Sequence, residues 1–144
     1  MKNERGIIQL TDVMAYPPAC IWKALTDPTL HAQWWAAGDI RAQQGHRFTL
    51  DMGAWGLQPC EVIAVEPEHV FAFSFAIGTL DTTITWRLTP ETKSNGTRVS
   101  LEHNGFNVDT PQGMAAYEGM RKGWPVVLER LKTVVASTAE GLNF

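Results

Sequence analysis

The sequence predicts an α+β fold in which an antiparallel sheet packs against a long C-terminal helix. Two observations lead to this fold class. Successive segments between residues 46 and 103 alternate apolar and polar side chains and are separated by short turn sequences. From residue 110 onward, apolar residues instead recur at alternating three- and four-residue steps. A sheet with one apolar face and an amphipathic helix are expected to bury those faces against each other.

The first residues predict a strand followed by a helix. The segment "GIIQLTDV" at 6–13 has the Ile and Leu content of a strand. Two prolines follow, and proline fits a first helical turn because its missing N–H is not needed there. Ile21, Ala24 and Leu25 then share one face at helical spacing.

A second, short helix is predicted within "TDPTLHAQWW". Asp27 can cap its free N–H groups, and Pro28 can occupy its first position. The helix is expected to end at Trp34 or Trp35. Because adjacent helical residues point about 100° apart, the two tryptophans cannot share the same surroundings. We expect Trp34 to anchor the helix in the core and Trp35 to reach the mouth of a cavity.

The middle of the chain predicts an antiparallel meander, apolar on one face and polar on the other. Asn95-Gly96, within "KSNG" at 93–96, is typical of a tight hairpin turn because it tolerates positive φ angles. The strands are expected at 46–52, 59–65, 70–77, 82–89 and 97–103. Their inward positions carry Phe48, Leu50, Met52, Phe71, Phe73, Phe75, Trp86, Leu101 and His103.

The last element is predicted as a long helix that begins at Thr110-Pro111. Tyr117 and Trp124 belong to its apolar stripe. Pro125 lies inside this pattern and cannot donate to the carbonyl of Arg121. We therefore expect a kink or a restart near Gly123.

Composition excludes several classes of function. The chain of 144 residues fits one domain, residues 1–144. A net charge of -3 argues against nucleic-acid binding, which needs a basic stripe. The sequence has no apolar run near the ~18 residues that span a bilayer and no secretory signal, so no membrane contact and a cytoplasmic location are expected.

No catalytic or metal-binding motif is found in the sequence. Cys20 and Cys60 lack the spacing of metal ligands, and neither a metal nor a cofactor is expected. There is no Gly-x-Ser-x-Gly elbow, phosphate-binding glycine loop or His-Glu-x-x-His site. His103 is the one catalytic candidate, since its side chain is predicted to point inward and its pKa is ordinarily near neutrality.

The aromatic residues on the inward faces allow either a closed core or a cavity lined by rigid rings, and the pattern does not choose between them. For the cavity, His103 and Tyr117 are the expected polar contacts. Met52 and Trp55 flank "MGAWG", which is either a pocket gate or an ordinary hairpin connection. The expected ligand-binding residues are Trp35, Phe48, Leu50, Met52, Phe71, Phe73, Phe75, Trp86, Leu101, His103, Tyr117 and Trp124.

Three stretches resemble a known family. They are "IWKALTDPTLHAQWW" (21–35), "TRVSLEHNGF" (97–106) and "GWPVVLERLK" (123–132), and in this order they resemble the activator-of-Hsp90-ATPase-like branch of the START-like, or SRPBCC, superfamily. The resemblance implies a helix-grip (START/Bet v 1-like) fold, a curved antiparallel sheet wrapped around the C-terminal helix in the order β-α-α-β-β-β-β-β-α. One departure is Gly45, where relatives often have two glycines.

The resemblance also implies what the protein does. Proteins of this fold commonly hold hydrophobic or amphipathic small molecules between sheet and helix. Non-catalytic binding of a hydrophobic or aromatic small molecule in that cavity is the function expected here. Two alternatives stay open, an enzyme of the polyketide cyclase or hydrolase type that uses His103, and a co-chaperone-like interaction module. A chaperone partner is not expected, because the family's namesake engages Hsp90 through a separate N-terminal domain for which this chain has no room. A homodimer is left open.

Overall fold

The computed structural model describes residues 6–93 and 95–141. The observed order of helices and strands is the predicted one, β-α-α-β-β-β-β-β-α. The elements are β1 (Ile8–Met14), α1 (Pro18–Thr26), α2 (Pro28–Trp34), β2 (Arg47–Asp51), β3 (Leu57–Glu66), β4 (Val70–Phe75), β5 (Thr82–Pro90), β6 (Thr97–Asn104) and α3 (Pro111–Gly141). A short 3-10 helix at Gly53–Trp55 connects β2 to β3.

The strands form one curved antiparallel sheet in the order β1-β6-β5-β4-β3-β2. Phe71 lies opposite Trp86, and Trp86 lies opposite Leu101. Leu101 in turn lies opposite Leu10 of β1. Because directly paired residues share a face, this row fixes the apolar, inner face of the sheet, which α3 covers.

The junction of α1 and α2 has the predicted cap. The Asp27 carboxylate accepts the backbone N–H groups of Thr29 (2.8 Å) and Leu30 (3.1 Å). Pro28 lies four residues after Ala24 and has no N–H to give to the Ala24 carbonyl. The indole N–H of Trp34 supplies that hydrogen bond instead, over 2.9 Å. The cap and the indole together hold the two short helices at a fixed angle.

The connection between β4 and β5 begins earlier than the sequence predicts. The strand expected at 70–77 ends at Phe75, because Ala76 has a φ of 59° and its carbonyl accepts the N–H groups of three following residues. This tight turn spans residues 76–81. The turn predicted at 93–96 lies between β5 and β6, and its Ser94 is outside the described residues.

Helix α3 runs without a break from Pro111 to Gly141, so the restart predicted near Gly123 is wrong. Pro125 and Arg121 are both exposed. The carbonyl that loses its helical partner therefore lies on the solvent side of the helix, where water can satisfy it. None of the helices in the described part of the chain is long and apolar enough to cross a membrane.

Candidate ligand-binding pocket

A pocket of about 520 Å³ lies between the first half of α3 and one end of the sheet. Its remaining walls come from the 52–58 segment, the 76–81 turn and the end of α2. The lining residues are Trp35, Met52, Trp55, Gln58, Phe75, Thr79, Leu80, Gln112, Ala115, Ala116, Gly119, Met120, Gly123, Trp124 and Val127. Of these, Trp55 is 76% exposed, so the pocket is open to solvent on that side.

One wall of the pocket is built from aromatic rings. Trp35 lies against Trp124 with ring centroids 4.7 Å apart and against Phe75 at 5.6 Å. Trp124 and Phe75 are buried, whereas Trp35 is half-buried. The neighbouring Trp34 is 1% exposed and packs edge-on against Trp86. The structure therefore places Trp34 in the core and Trp35 at the pocket.

Helix α3 contributes large side chains to the pocket lining, including Met120, Trp124 and Val127, and also a strip of small residues. Ala115, Gly119 and Gly123 follow one another at four-residue steps on this face of the helix. A Cβ atom added at Gly119 or Gly123 would meet nothing within 4 Å. Close packing inside the protein therefore does not require glycine at either position. The two glycines leave a stretch of helix backbone without side chains in the pocket lining, next to Trp124 of the same helix.

Polar groups of the pocket gather at its rim. The side-chain amide of Gln58 donates to the carbonyl of Trp55 over 2.7 Å. The Thr79 hydroxyl lies 3.3 Å from the Gln58 Oε1 and 3.0 Å from the carbonyl of Ala76. Gln112, at the start of α3, is the other polar lining residue. The described lining side chains include no acid, base or thiol, so the pocket wall presents hydrogen-bonding groups without charge.

His103 is buried beside the pocket and takes no part in its wall. Its Nδ1 accepts the indole N–H of Trp124 at 3.0 Å. Since an indole nitrogen only donates, the hydrogen of the neutral ring is on Nε2 and is donated to Thr82 Oγ1 at 2.8 Å. Burial lowers the pKa of His103 to about 3. The ring is therefore neutral, and each of its nitrogens already has a partner.

The predicted ligand-binding residues divide into two groups. Trp35, Met52, Phe75 and Trp124 line the pocket. The structure does not bring the other eight to it: Phe48, Leu50, Phe71, Phe73, Trp86, Leu101 and His103 are buried in the core, and Tyr117 is half-buried with its hydroxyl 3.5 Å from the carbonyl of Ile7.

The reason for this division is that α1 and α2 close the other end of the sheet. Trp22 of α1 packs edge-on against Phe71 at 5.9 Å, and Trp34 packs against Trp86 at 5.7 Å. Alternation along a strand identifies the inward face but not which end of that face the helices cover. Phe71 and Trp86 thus serve as packing partners of the helices.

Several pocket residues were not singled out from the sequence. They include the rim residues Gln58, Thr79 and Gln112 and the small residues Ala115, Gly119 and Gly123, the last of which was considered only as the position of a kink or restart. The signal that could have revealed the helix wall is the pair of glycines four residues apart inside a helix, where each costs about 1 kcal/mol relative to alanine. For the rim residues, which lie outside the alternating core pattern, no comparable signal exists.

Metal binding has no basis in the described residues. Among them, no group of three or more His, Cys, Asp or Glu side chains is arranged to hold a metal ion. Burial raises the pKa of the Cys60 thiol to about 12, which removes it as a nucleophile.

The fold and the pocket define the class of protein as a START-like, helix-grip domain. The sequence model of the family described as "Activator of Hsp90 ATPase homolog 1-like protein" matches residues 15–136, and the chain belongs to this family. A search of curated proteins finds no significant match.

Several solved structures are similar to this chain. Protein MLL2253 from Mesorhizobium loti is 31% identical, with a TM-score of 0.80 over 92% of this chain and 98% of that protein. Protein BH1534 from Bacillus halodurans is 25% identical, with a TM-score of 0.75 over 90% of this chain and 96% of that protein. DynU16, from the dynemicin biosynthetic locus, is 20% identical, with a TM-score of 0.76 over 92% of this chain and 48% of that protein. At this identity DynU16 shares the fold alone.

Proposed function

We propose that this protein binds a hydrophobic, aromatic small molecule in the pocket between α3 and the sheet, without transforming it. The observation that carries the proposal is the lining of the pocket. The rings of Trp35, Phe75 and Trp124 line it together with a stretch of helix that has no side chains at Gly119 and Gly123. A planar molecule would lie against the rings in the space that the two glycines leave, with its apolar faces removed from water.

The dimensions of the pocket support this proposal. A volume of about 520 Å³ lies within the range of roughly 300–1,000 Å³ that small-molecule sites occupy. The two glycines support it as well. Each is unfavourable in the middle of a helix, and neither is required by the packing of the protein. Room for a ligand accounts for both.

Binding is favoured over catalysis by the position of the single catalytic candidate. His103 has both ring nitrogens in hydrogen bonds, to Trp124 and to Thr82. A general base needs a free lone pair within reach of the substrate proton. The lone pair of His103 is directed at Trp124, which stands between the histidine and the pocket.

The experiment is native mass spectrometry of the purified protein, followed by a thermal-shift screen of hydrophobic metabolites. A ligand at 100 times its dissociation constant stabilises the folded state by about 2.7 kcal/mol. The screen is repeated with Gly123→Leu, which places a side chain in the pocket, and with Val126→Leu, an exposed position of α3 outside the lining. Shifts are expected for the wild type and Val126→Leu but not for Gly123→Leu. A broad library without any shift contradicts the proposal and favours the interaction module.

A further inference from the structure

We infer that the ligand is uncharged and carries a hydroxyl or carbonyl group, which hydrogen-bonds to Gln58 and Thr79 at the rim of the pocket. This inference rests on the proposed function and adds the chemical class of the ligand. The apolar body of the ligand would lie against the aromatic rings, in the space beside Gly119 and Gly123. Its polar group would meet the amide and the hydroxyl where the pocket opens.

Gln58 is held in a defined orientation by groups on both sides. The carbonyl of Trp55 accepts only, so the amide atom 2.7 Å from it is the nitrogen. The carbonyl oxygen of the amide then faces Thr79 at 3.3 Å. The Thr79 hydroxyl has one hydrogen and two acceptors within reach, the Gln58 amide oxygen and the carbonyl of Ala76. The pair therefore keeps one amide N–H as a donor and the hydroxyl oxygen as an acceptor for a third group.

A hydroxyl or a carbonyl on the ligand fits this pair. A carbonyl would accept the remaining N–H of Gln58, and a hydroxyl would in addition donate to the oxygen of Thr79. Both side chains belong to the lining, and both project from segments that the backbone holds firmly. Gln58 lies in β3, and Thr79 lies in the turn closed by the Ala76 carbonyl.

The electrostatics of the mouth disfavour an anionic ligand. Three segments contribute to the pocket lining, within residues 51–58, 76–82 and 111–127, and their only Lys, Arg or His residues, Arg121 and Lys122, lie outside the lining. They contain Asp51 and Asp81, which are exposed, and Glu118, which pairs with Arg121. An anion would lose hydration on entering and would find carboxylates at the mouth with no cation in the lining. A buried cation would also be uncompensated, because no carboxylate lines the pocket.

The inference is tested with three probes that share one aromatic body: β-naphthol, β-methylnaphthalene and β-naphthoate. Their dissociation constants for the full chain are measured by isothermal titration calorimetry at neutral pH. We expect β-naphthol to bind about 2- to 10-fold more tightly than β-methylnaphthalene, which corresponds to one neutral hydrogen bond. We expect β-naphthoate to bind at least about 100-fold more weakly than β-naphthol, because its charge has no partner.

Variants of Gln58 and Thr79 identify the group that makes β-naphthol bind more tightly than β-methylnaphthalene. Thr79→Val removes the hydroxyl while keeping the shape, and Gln58→Leu removes the amide. Each should weaken β-naphthol binding about 2- to 10-fold and leave β-methylnaphthalene unchanged. Thr79→Ser keeps the hydroxyl and should retain the affinity for β-naphthol. If Gln58→Leu does not fold, the comparison of Thr79→Val with Thr79→Ser is sufficient to test the inference.

The failure of the inference and the failure of the proposed function give different results. If β-methylnaphthalene binds and Gly123→Leu abolishes its binding, the pocket is a ligand site. In that case a β-naphthoate that binds within about threefold of β-naphthol, or a Thr79→Val variant that binds β-naphthol as the wild type does, overturns the inference alone. Absence of binding for all three probes overturns both.

Discussion

Trp124 of α3 donates its indole N–H to Nδ1 of His103 on β6, over 3.0 Å in the buried core. The chain of hydrogen bonds continues from His103 to Thr82 at 2.8 Å and from the Thr82 hydroxyl to the carbonyl of Phe75 at 3.3 Å. Trp124 and Phe75 both line the pocket. The buried histidine therefore connects two aromatic residues of the lining that belong to different elements, α3 and β4.

Removing the acceptor should destabilise the fold. His103→Leu leaves the Trp124 N–H buried without a partner, and an unsatisfied buried donor costs about 1–3 kcal/mol. Trp124→Phe removes the donor, so the double variant should lose less stability than the sum of the two single variants. We expect a coupling energy of about 1 kcal/mol or more, measured by urea unfolding of the wild type, both single variants and the double variant. Purely additive losses would show that the bond contributes nothing.

Trp34 and Trp35 should respond in opposite ways to the same substitution. Trp34→Phe removes the N–H that satisfies the carbonyl of Ala24, for which Pro28 offers no alternative, and a loss of about 1–3 kcal/mol is expected. Trp35→Phe should change stability by less than about 1 kcal/mol, because the ring is half-buried and still packs on the pocket wall. Ligand affinity should fall in Trp35→Phe and not in Trp34→Phe.

Thermal unfolding and ligand titration of the two variants together provide the check. A Trp35→Phe variant that loses as much stability as Trp34→Phe would show that both rings belong to the core.

The fold could be predicted from the sequence because each element depends on local chemistry. Period-two alternation identified the strands, and the Asp27-Pro28 pair placed the start of α2. The feature of the fold that was predicted wrongly, a restart of α3 near Gly123, depends on the surroundings of a residue in the folded protein. Pro125 does not interrupt α3, because the turn that loses its hydrogen bond faces solvent, and solvent exposure is a property of the assembled molecule.

The pocket was predicted in part for the same reason. The face of the sheet to which a strand residue points can be predicted from the alternation of apolar and polar residues. This alternation correctly predicted that Phe75 lies on the inner face. The sequence does not show which inward residues the helices cover. Phe71 is only four residues from Phe75, yet Trp22 of α1 packs on Phe71 and not on Phe75. Gln58 and Thr79 come together because a strand end and a turn approach each other in the tertiary structure. A local sequence pattern does not predict this tertiary contact.

Two glycines of α3 should respond in opposite directions to alanine. At Gly119 an added Cβ meets no atom within 4 Å, so Gly119→Ala should stabilise the protein by up to about 1 kcal/mol through helix propensity. At Gly113, in the first turn of the same helix, an added Cβ would overlap the backbone carbonyl of Asn107. Gly113→Ala should therefore destabilise the protein, and urea unfolding of both variants measures the difference. Stabilisation by both would mean that Asn107 yields readily.

Buried neutral histidines should make the protein less stable in mild acid. Burial lowers the pKa of His103 to about 3, and burial, partly offset by the hydrogen bond to the carbonyl of Ala36, lowers the pKa of His31 to about 4. The unfolded chain binds these protons near pH 6.5, whereas the folded chain does not bind them until the pH approaches those lower values. Stability is therefore full above about pH 6.5 and falls as the pH drops towards 4, by about 1.4 kcal/mol per pH unit for each histidine.

His31→Asn separates the contribution of one histidine from that of the other. An asparagine amide can occupy the position of the His31 Nδ1, which lies 2.7 Å from the Ala36 carbonyl, and it does not titrate. The free energy of unfolding is measured by urea at a series of pH values from 7 to 5. Its dependence on pH should be weaker in this variant by the contribution of one proton, about 1.4 kcal/mol per pH unit at the acidic end of the range. Carboxylates contribute equally to both proteins, so the difference between the two slopes belongs to His31. Identical slopes would mean that the folded chain takes up the His31 proton in the same pH range as the unfolded chain. That would require a compensating partner that the buried ring does not have among the described residues.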